Sequence, residues 1–237
     1  MRTDHVSAWL IKQWLQENAP ELAAAWDFQP DDQIIAFAAK IELLLSNVRP
    51  NFTGQNILAK TAIEMWNLQD VALLAGGAPT PLSPRPDHLL YYTDGNAEAV
   101  EEARRAGYHA LHVNVTDSGG IAQLKGAKNA IATGLFHFLP DAVMVSVLST
   151  LDQHGFESVS FSHGTPEAAG GLIEQYEKLG IQIFLRDWEQ TQALLPPGWQ
   201  IDYRASGRDY MRNAGEIGAK LAETPSVFDF YKASKQG

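Results

Sequence analysis

The chain has 237 residues, of which 45% are hydrophobic, 19% are charged and none is cysteine; this is a globular composition, which excludes a disordered or collagen-like chain and any disulfide framework, thiol nucleophile or zinc–thiolate centre. Eighteen Lys and Arg against 28 Asp and Glu give a net charge of −10, a surface that repels a phosphate backbone, and with no basic cluster to offset it no nucleic-acid partner is expected. No apolar run reaches the roughly 18 residues of a membrane span and the N-terminus has no signal-peptide core, so the reading is of a soluble, cytoplasmic protein without a membrane partner.

At about 150 residues per domain, the length suits one large domain or a domain with a cap. The pattern changes near residue 70. Before it, Val6, Leu10, Ile11, Trp14 and Leu15 recur at helical spacing. Ile34, Ile35, Phe37, Ala38, Ile41, Leu44 and Leu45 do the same behind the capping pair Asp31-Asp32. A third helix is expected from about Gly54 to Trp66. Residues 1–69 therefore read as an N-terminal helical cap, with Asn51-Phe52-Thr53-Gly54 a candidate part of a lid. Trp9, Trp14, Trp26 and Trp66 read as packing between its helices.

After residue 70, short apolar runs alternate with helical stretches. Strands are expected over Val71–Ala75, Leu89–Thr93, Ala110–Val115, Ala130–Phe136 and Ser158–Ser162. Helices are expected over Glu98–Arg105, Asp141–His154 and about Pro166–Leu179. Such alternation implies an α/β fold with a mostly parallel sheet covered on both faces. Trp188–Leu195 reads as a short helix, and Trp199–Tyr203 and Val227–Tyr231 as two late strands that pair antiparallel. The polar stretch from Arg204 to Glu223, with Gly207, Gly215 and Gly218, reads as a loop or a loose helix.

In an open parallel sheet, ligands bind outside the carboxyl ends of the strands at the switch point of strand order. Polar residues and glycines gather at each of these ends: Gly76-Gly77-Ala78-Pro79-Thr80, Asp94-Gly95-Asn96, Asn114 with Thr116, Phe136-His137, and Ser162-His163-Gly164-Thr165. A carboxylate at the second strand end, such as Asp94, accepts the hydroxyl hydrogens of a ribose; capping the next helix is its structural alternative. The prolines at 79, 81, 84 and 86 forbid a regular helix after the glycine turn. That removes the pyrophosphate cradle of a dinucleotide site and speaks against a nicotinamide-dependent oxidoreductase. His109 and His112, three apart on a strand, face opposite sides and cannot share a metal, so no metal site is expected. Ser162-His163 lacks a nucleophile elbow, which argues against a serine hydrolase.

These residues carry a resemblance. From about Val71 to Lys232 the chain resembles the class I S-adenosylmethionine-dependent methyltransferases. Tyr91-Tyr92-Thr93-Asp94-Gly95-Asn96 is similar to that family's acid-ended second strand, and Leu135-Phe136-His137-Phe138-Leu139-Pro140-Asp141 to its fourth-strand motif. Leu185-Arg186-Asp187-Trp188, Gly198-Trp199-Gln200-Ile201 and Phe228–Lys235 resemble its closing elements. Gly77-Ala78-Pro79-Thr80 and Ser162-His163-Gly164-Thr165 bring it nearest a bacterial subgroup with G-x-P-T and S-H-A-T turns.

The resemblance implies a doubly wound, seven-stranded, Rossmann-like sheet over residues 70–237. It also implies S-adenosylmethionine as cofactor and methyl transfer to oxygen or nitrogen of a small-molecule acceptor. Gly76 and Gly77 would approach the cofactor's amino-acid part and Asp94 would hold its ribose. Gly95 and Asn96 would flank the adenine, Asn114 and Val115 would border the base, and Thr133 and Phe136 would line the methionine side. His137 and His163 are the acid–base candidates. The acid of the family's D-x-G-x-G turn is missing from Leu74-Ala75-Gly76-Gly77-Ala78, which keeps a binding-only member of the fold as the alternative. A homodimer is left open.

Overall fold

The computed structural model describes residues 3–44, 49–166, 170–178, 180–223 and 228–236. Four helices come first: α1 (Thr3–Asn18), α2 (Pro20–Ala25), α3 (Asp32–Leu44) and α4 (Arg49–Trp66). The third expected helix thus starts one turn earlier, with Pro50 in its first turn, where a missing N–H costs nothing. The side chains of Asn51 to Gly54 lie outside the described residues.

The sheet follows as β1 (Val71–Leu73), β2 (Tyr91–Asp94), α5 (Ala97–Arg105), β3 (Ala110–His112), α6 (Ser118–Ile121), β4 (Asn129–Ala132), α7 (Asp141–Gln153) and β5 (Ser158–Gly164). Then come α8 (Gly170–Lys178), α9 (Trp188–Ala193), β6 (Trp199–Ser206), α10 (Gly207–Met211), α11 (Gly215–Ala222) and β7 (Phe228–Lys235). Strand order is β3-β2-β1-β4-β5-β7-β6. The first five strands run parallel, and β7 pairs antiparallel with both β5 and β6. The fold is therefore α/β: a doubly wound, seven-stranded, mostly parallel sheet preceded by helices.

The strands are shorter than expected at β1, β3 and β4 and longer at β6 and β7. At β1, chain reversal is the reason. Ala75 sits at φ +52, a left-handed turn that stops β1 early at a cost of order 1 kcal/mol for a residue with a Cβ. Antiparallel pairing explains the longer strands, since β7 bonds β5 from Ser158↔Ser234 through Gly164↔Phe228. The expected start at Val227 lies outside the described residues. The stretch read as loop or loose helix resolves into the end of β6 and the helices α10 and α11. Gly218 is needed inside α11 because a Cβ there would run into Met211 O.

Alternate strand residues face opposite layers. Val71, Leu73, Tyr92, Ala110, Ile131 and Phe230 pack in one buried cluster with α1, α4, α5, α10 and α11. Ala72, Leu74, Ala130, Ala132, Val159 and Phe161 pack in the other, against α6 and α7. Trp66 joins the first cluster, stacked on Phe230 at 6.1 Å. Trp14 is buried in the same cluster, and Trp26 packs against it. The connection from β1 to β2, residues 74–90, is a crossover without an α-helix. It contains only a three-residue 3-10 turn, Pro86–His88, as its prolines dictate.

Candidate functional site

Strand order reverses between β1 and β4, so the crevice outside their carboxyl ends is the expected binding position. A cleft lies there, about 520 Å³ of free space with its open mouth included. Its floor is Leu73, Ala75, Gly76, Gly77, Ala78, Thr80 and Thr133; its walls are Ser7, Ala8 and Ile11 of α1 and Gln55, Asn56 and Ala59 of α4. The N-terminal helices therefore lie over the strand ends. No charged side chain lines the cleft among the described residues.

The glycine turn is held from β2. Gly76 N–H donates to Thr93 O at 2.9 Å. Gly77 N–H donates to Asp94 Oδ2 at 2.8 Å. The Tyr92 hydroxyl donates to Gly76 O at 2.7 Å. Gly76 must be glycine because a Cβ would enter the Tyr92 ring. The other Asp94 oxygen, Oδ1, accepts from Asn96 N–H at 2.7 Å, so these amides take two of the carboxylate's roughly four acceptor sites. Asn96 caps α5 by accepting from Glu98 N–H at 3.0 Å. Of the two roles weighed for residue 94, the cap thus falls to its neighbour. Gly95 is open on its Cβ side, with Val113 O at 4.0 Å the nearest atom.

At the β3 end, Asn114 is exposed and its Oδ1 accepts from Thr116 N–H and Oγ; Val115 is 7% exposed. At the β4 end, Thr133 reaches the cleft. Phe136 does not: it is fully buried in the opposite cluster, edge-on to Phe161.

Beyond Phe136 a buried arginine organises the ends of β4 and β5. Arg186 donates from Nε to Asp141 Oδ1 at 2.8 Å, from Nη1 to Phe136 O at 3.1 Å and from Nη2 to Leu139 O at 2.6 Å. Nη1 also lies 2.6 Å from His163 Nε2. A guanidinium only donates, so Nε2 is the acceptor and the His163 proton sits on Nδ1. That Nδ1 is buried without a hydrogen-bond partner among the described residues. Burial first and Arg186 second push His163 down to about 3 and His137 down to about 4, with His137 adding to the effect on His163. Both imidazoles are neutral at pH 7. His109 Nδ1 contacts Leu90 O at 3.1 Å and His112 Nε2 contacts Gly95 O at 2.8 Å, so each imidazole contacts a different carbonyl.

No protein-family model and no curated protein matches the sequence. Solved structures do match the shape. A DUF574 family protein from Streptomyces avermitilis superposes with a TM-score of 0.66 at 12% identity, over 99% of this chain and 97% of that one. The magnesium protoporphyrin IX methyltransferase of Synechocystis, solved with bound SAH, gives 0.55 at 12% identity over 97% and 100%. A SAM-dependent methyltransferase from Anabaena variabilis gives 0.52 at 14% identity over 77% and 86%. The chain has the methyltransferase fold. At these identities the likeness is one of fold, and what the site does must be argued from its own residues.

Within the methyltransferase fold of this chain, Gly76, Gly77 and Thr133 line the β1–β4 crevice; Asp94 joins them through its hydrogen bond to Gly77, and Gly95 and Asn96 follow it at the β2 end outside the lining. Asn114 and Val115 stand at the neighbouring strand end. His137 and His163 belong to the Arg186 cluster on the far side of β4. Four residues of the site escape a reading by strand ends. Ser7, Gln55 and Asn56 come from helices far away in sequence, and their polarity beside Ala8, Ile11 and Ala59 is the signal for them. Arg186 lies amid Ile181, Ile183, Phe184 and Leu185, a charge in an apolar run, which is the mark of a buried partner.

Proposed function

We propose that the chain transfers a methyl group from S-adenosylmethionine to oxygen or nitrogen of a small-molecule acceptor. The observation that carries this reading is the crevice at the switch point, where the Asp94 carboxylate pins Gly77 beside a wall of neutral polar side chains. The residues present fit the cofactor. A half-buried carboxylate at the β2 end suits a ribose, Gly77 has nothing within 4 Å of its Cβ position, and among the described residues no lysine or arginine lines the cleft to repel a sulfonium. When bound, the cofactor supplies an electrophilic methyl group.

In this reading Asp94 holds the ribose, with Gly95 and Asn96 beside the adenine and Asn114 and Val115 at its border. Gly76, Gly77 and Thr133 face the amino-acid part. Methyl transfer needs in-line placement of acceptor and donor more than proton chemistry. The helices over the cleft support that need by excluding water. His137, neutral and weakly basic with a pKa near 4, does not line the cleft, which supports transfer driven by placement of the acceptor over transfer that needs this histidine as a base. The lone pair that His163 gives to Arg186 supports a positioning role over a base role. The same feature, with the missing acid of the first-strand turn, favours one second reading: a member that binds the cofactor without turning it over.

Calorimetric titration with S-adenosylmethionine and S-adenosylhomocysteine tests the reading. Wild-type protein is expected to bind both, and Asp94→Ala to bind at least about tenfold more weakly, about 1.4 kcal/mol. A folded wild-type protein that binds neither would refute the proposal. Binding with no transfer across a panel of amine and hydroxyl acceptors selects the second reading.

A further inference from the structure

Two polar side chains of the cleft, Gln55 and Thr133, make no hydrogen bond among the described residues. Gln55 is half-buried on α4 and its side-chain amide lies directly over Gly134, so that a Cβ on Gly134 would collide with it. Gly134 follows β4 at φ +75, a conformation glycine adopts without strain, and its N–H is already held by Ser162 Oγ at 3.0 Å. The chain thus keeps a side-chain-free seat at the β4 end, and Gln55 occupies it. Its neighbours in the wall are engaged: Asn56 Oδ1 accepts from Ser83 Oγ at 3.1 Å, and Thr80 Oγ1 accepts from Leu82 N–H at 3.2 Å. The Gln55 amide makes no hydrogen bond among the described residues. An amide with two N–H donors and one acceptor oxygen, facing the cleft without a partner among the described residues, is available to a ligand.

Position says what would pair with it. β1 lies between β2 and β4. A nucleoside held at Asp94, on the β2 side, and lying across the β1 turn must place its remaining part over the β4 end. In S-adenosylmethionine that part is a zwitterionic amino acid, an ammonium donor beside a carboxylate acceptor. No charged side chain lines the cleft to meet it. We propose that Gln55 binds the cofactor's amino-acid end beside Thr133, making α4 part of the cofactor site and not only its cover. This rests on the cofactor reading above.

The test compares two ligands that share the nucleoside and differ at that end: S-adenosylhomocysteine and 5′-methylthioadenosine, which lacks the amino acid. Both are titrated calorimetrically into the full chain and into Gln55→Ala and Gln55→Leu. The leucine variant keeps the bulk over Gly134 should the alanine variant fail to fold. Loss of a hydrogen bond to a charged group is expected to weaken S-adenosylhomocysteine at least about tenfold and methylthioadenosine less than about twofold. Equal weakening of both ligands, or of neither, overturns the role of Gln55 while the cofactor reading stands. Wild-type protein that binds neither ligand overturns both.

Discussion

Arg186 is 3% exposed, and its charge is met by Asp141, two carbonyls and the lone pair of His163. A buried guanidinium is tolerable only when its donors are satisfied, and removing one acceptor leaves it uncompensated. This fixes how His163 behaves with pH. In the unfolded chain each histidine takes a proton below about 6.5. In the folded protein His137 holds off to about 4 and His163 to about 3. Folded pKa values below the unfolded one mean stability that is full above about pH 6.5 and is lost as pH falls towards 4. Each histidine contributes up to about 1.4 kcal/mol per pH unit in that window. Urea unfolding at pH 7.5, 6.5 and 5.5 is expected to show this slope. His163→Gln, which offers Arg186 a carbonyl oxygen instead, is expected to remove about half of it. An unchanged slope in the variant would mean that His163 titrates normally and is not locked to the arginine.

At the scale of elements, the crossover from β1 to β2 does by side-chain anchoring what a helix ordinarily does. Tyr92 reaches from β2 under the glycine turn, and Tyr108 donates to Pro84 O at 2.5 Å. Gly76→Ala would press a methyl group into the Tyr92 ring, an overpacking expected to cost about 1–3 kcal/mol. Combined with Tyr92→Leu, the same substitution should cost markedly less, since the two positions are coupled through contact. Additive costs in urea denaturation would show that the turn is not set by that ring. Much of this level was legible. The apolar runs placed five parallel strands, the prolines forbade a helix after Gly77, and the strand ends singled out Gly77 and Asp94, which a hydrogen bond joins. What stayed illegible depends on contacts between distant segments. Gly207, Gly215 and Gly218 masked two helices, because propensity reads glycine as loop, while at Gly218 packing against Met211 demands it. Phe136 ends the expected fourth strand and the resemblance puts it at the cleft, yet the 3-10 turn Phe136–Phe138 sends its ring into the core below the sheet. Gln55 and Arg186 gain their roles only once α4 reaches the β4 end and the segment before α9 folds back over β5.

At the scale of the molecule, the sequence divides at residue 70 but the core does not. Ile11 and Leu15 of α1 and Ile57, Leu58 and Ile63 of α4 share one buried cluster with Val71, Leu73, Tyr92, Ile131 and Phe230 of the sheet. Tyr210 of α10 stacks on Phe230 at 3.9 Å and donates to Leu58 O of α4 at 3.2 Å, which ties the two ends of the chain through the sheet. Burying one such apolar side chain contributes about 1.5–3 kcal/mol. The five from α1 and α4 alone therefore match the roughly 5–15 kcal/mol by which whole domains are stable. These helices cannot swing away as a free lid while the sheet stays folded. α3 is different, since the small cluster of Val6, Leu10, Ala38 and Ile41 holds it on α1, and its release exposes far less. We therefore expect a single calorimetric unfolding transition for the full chain, and no cooperative transition for a chain that starts at residue 70. We expect a variant lacking residues 27–44, rejoined by a flexible linker, to fold. A folded 70–237 fragment, or two transitions in the full chain, would make the N-terminal helices a separate cap and return to them the freedom to open.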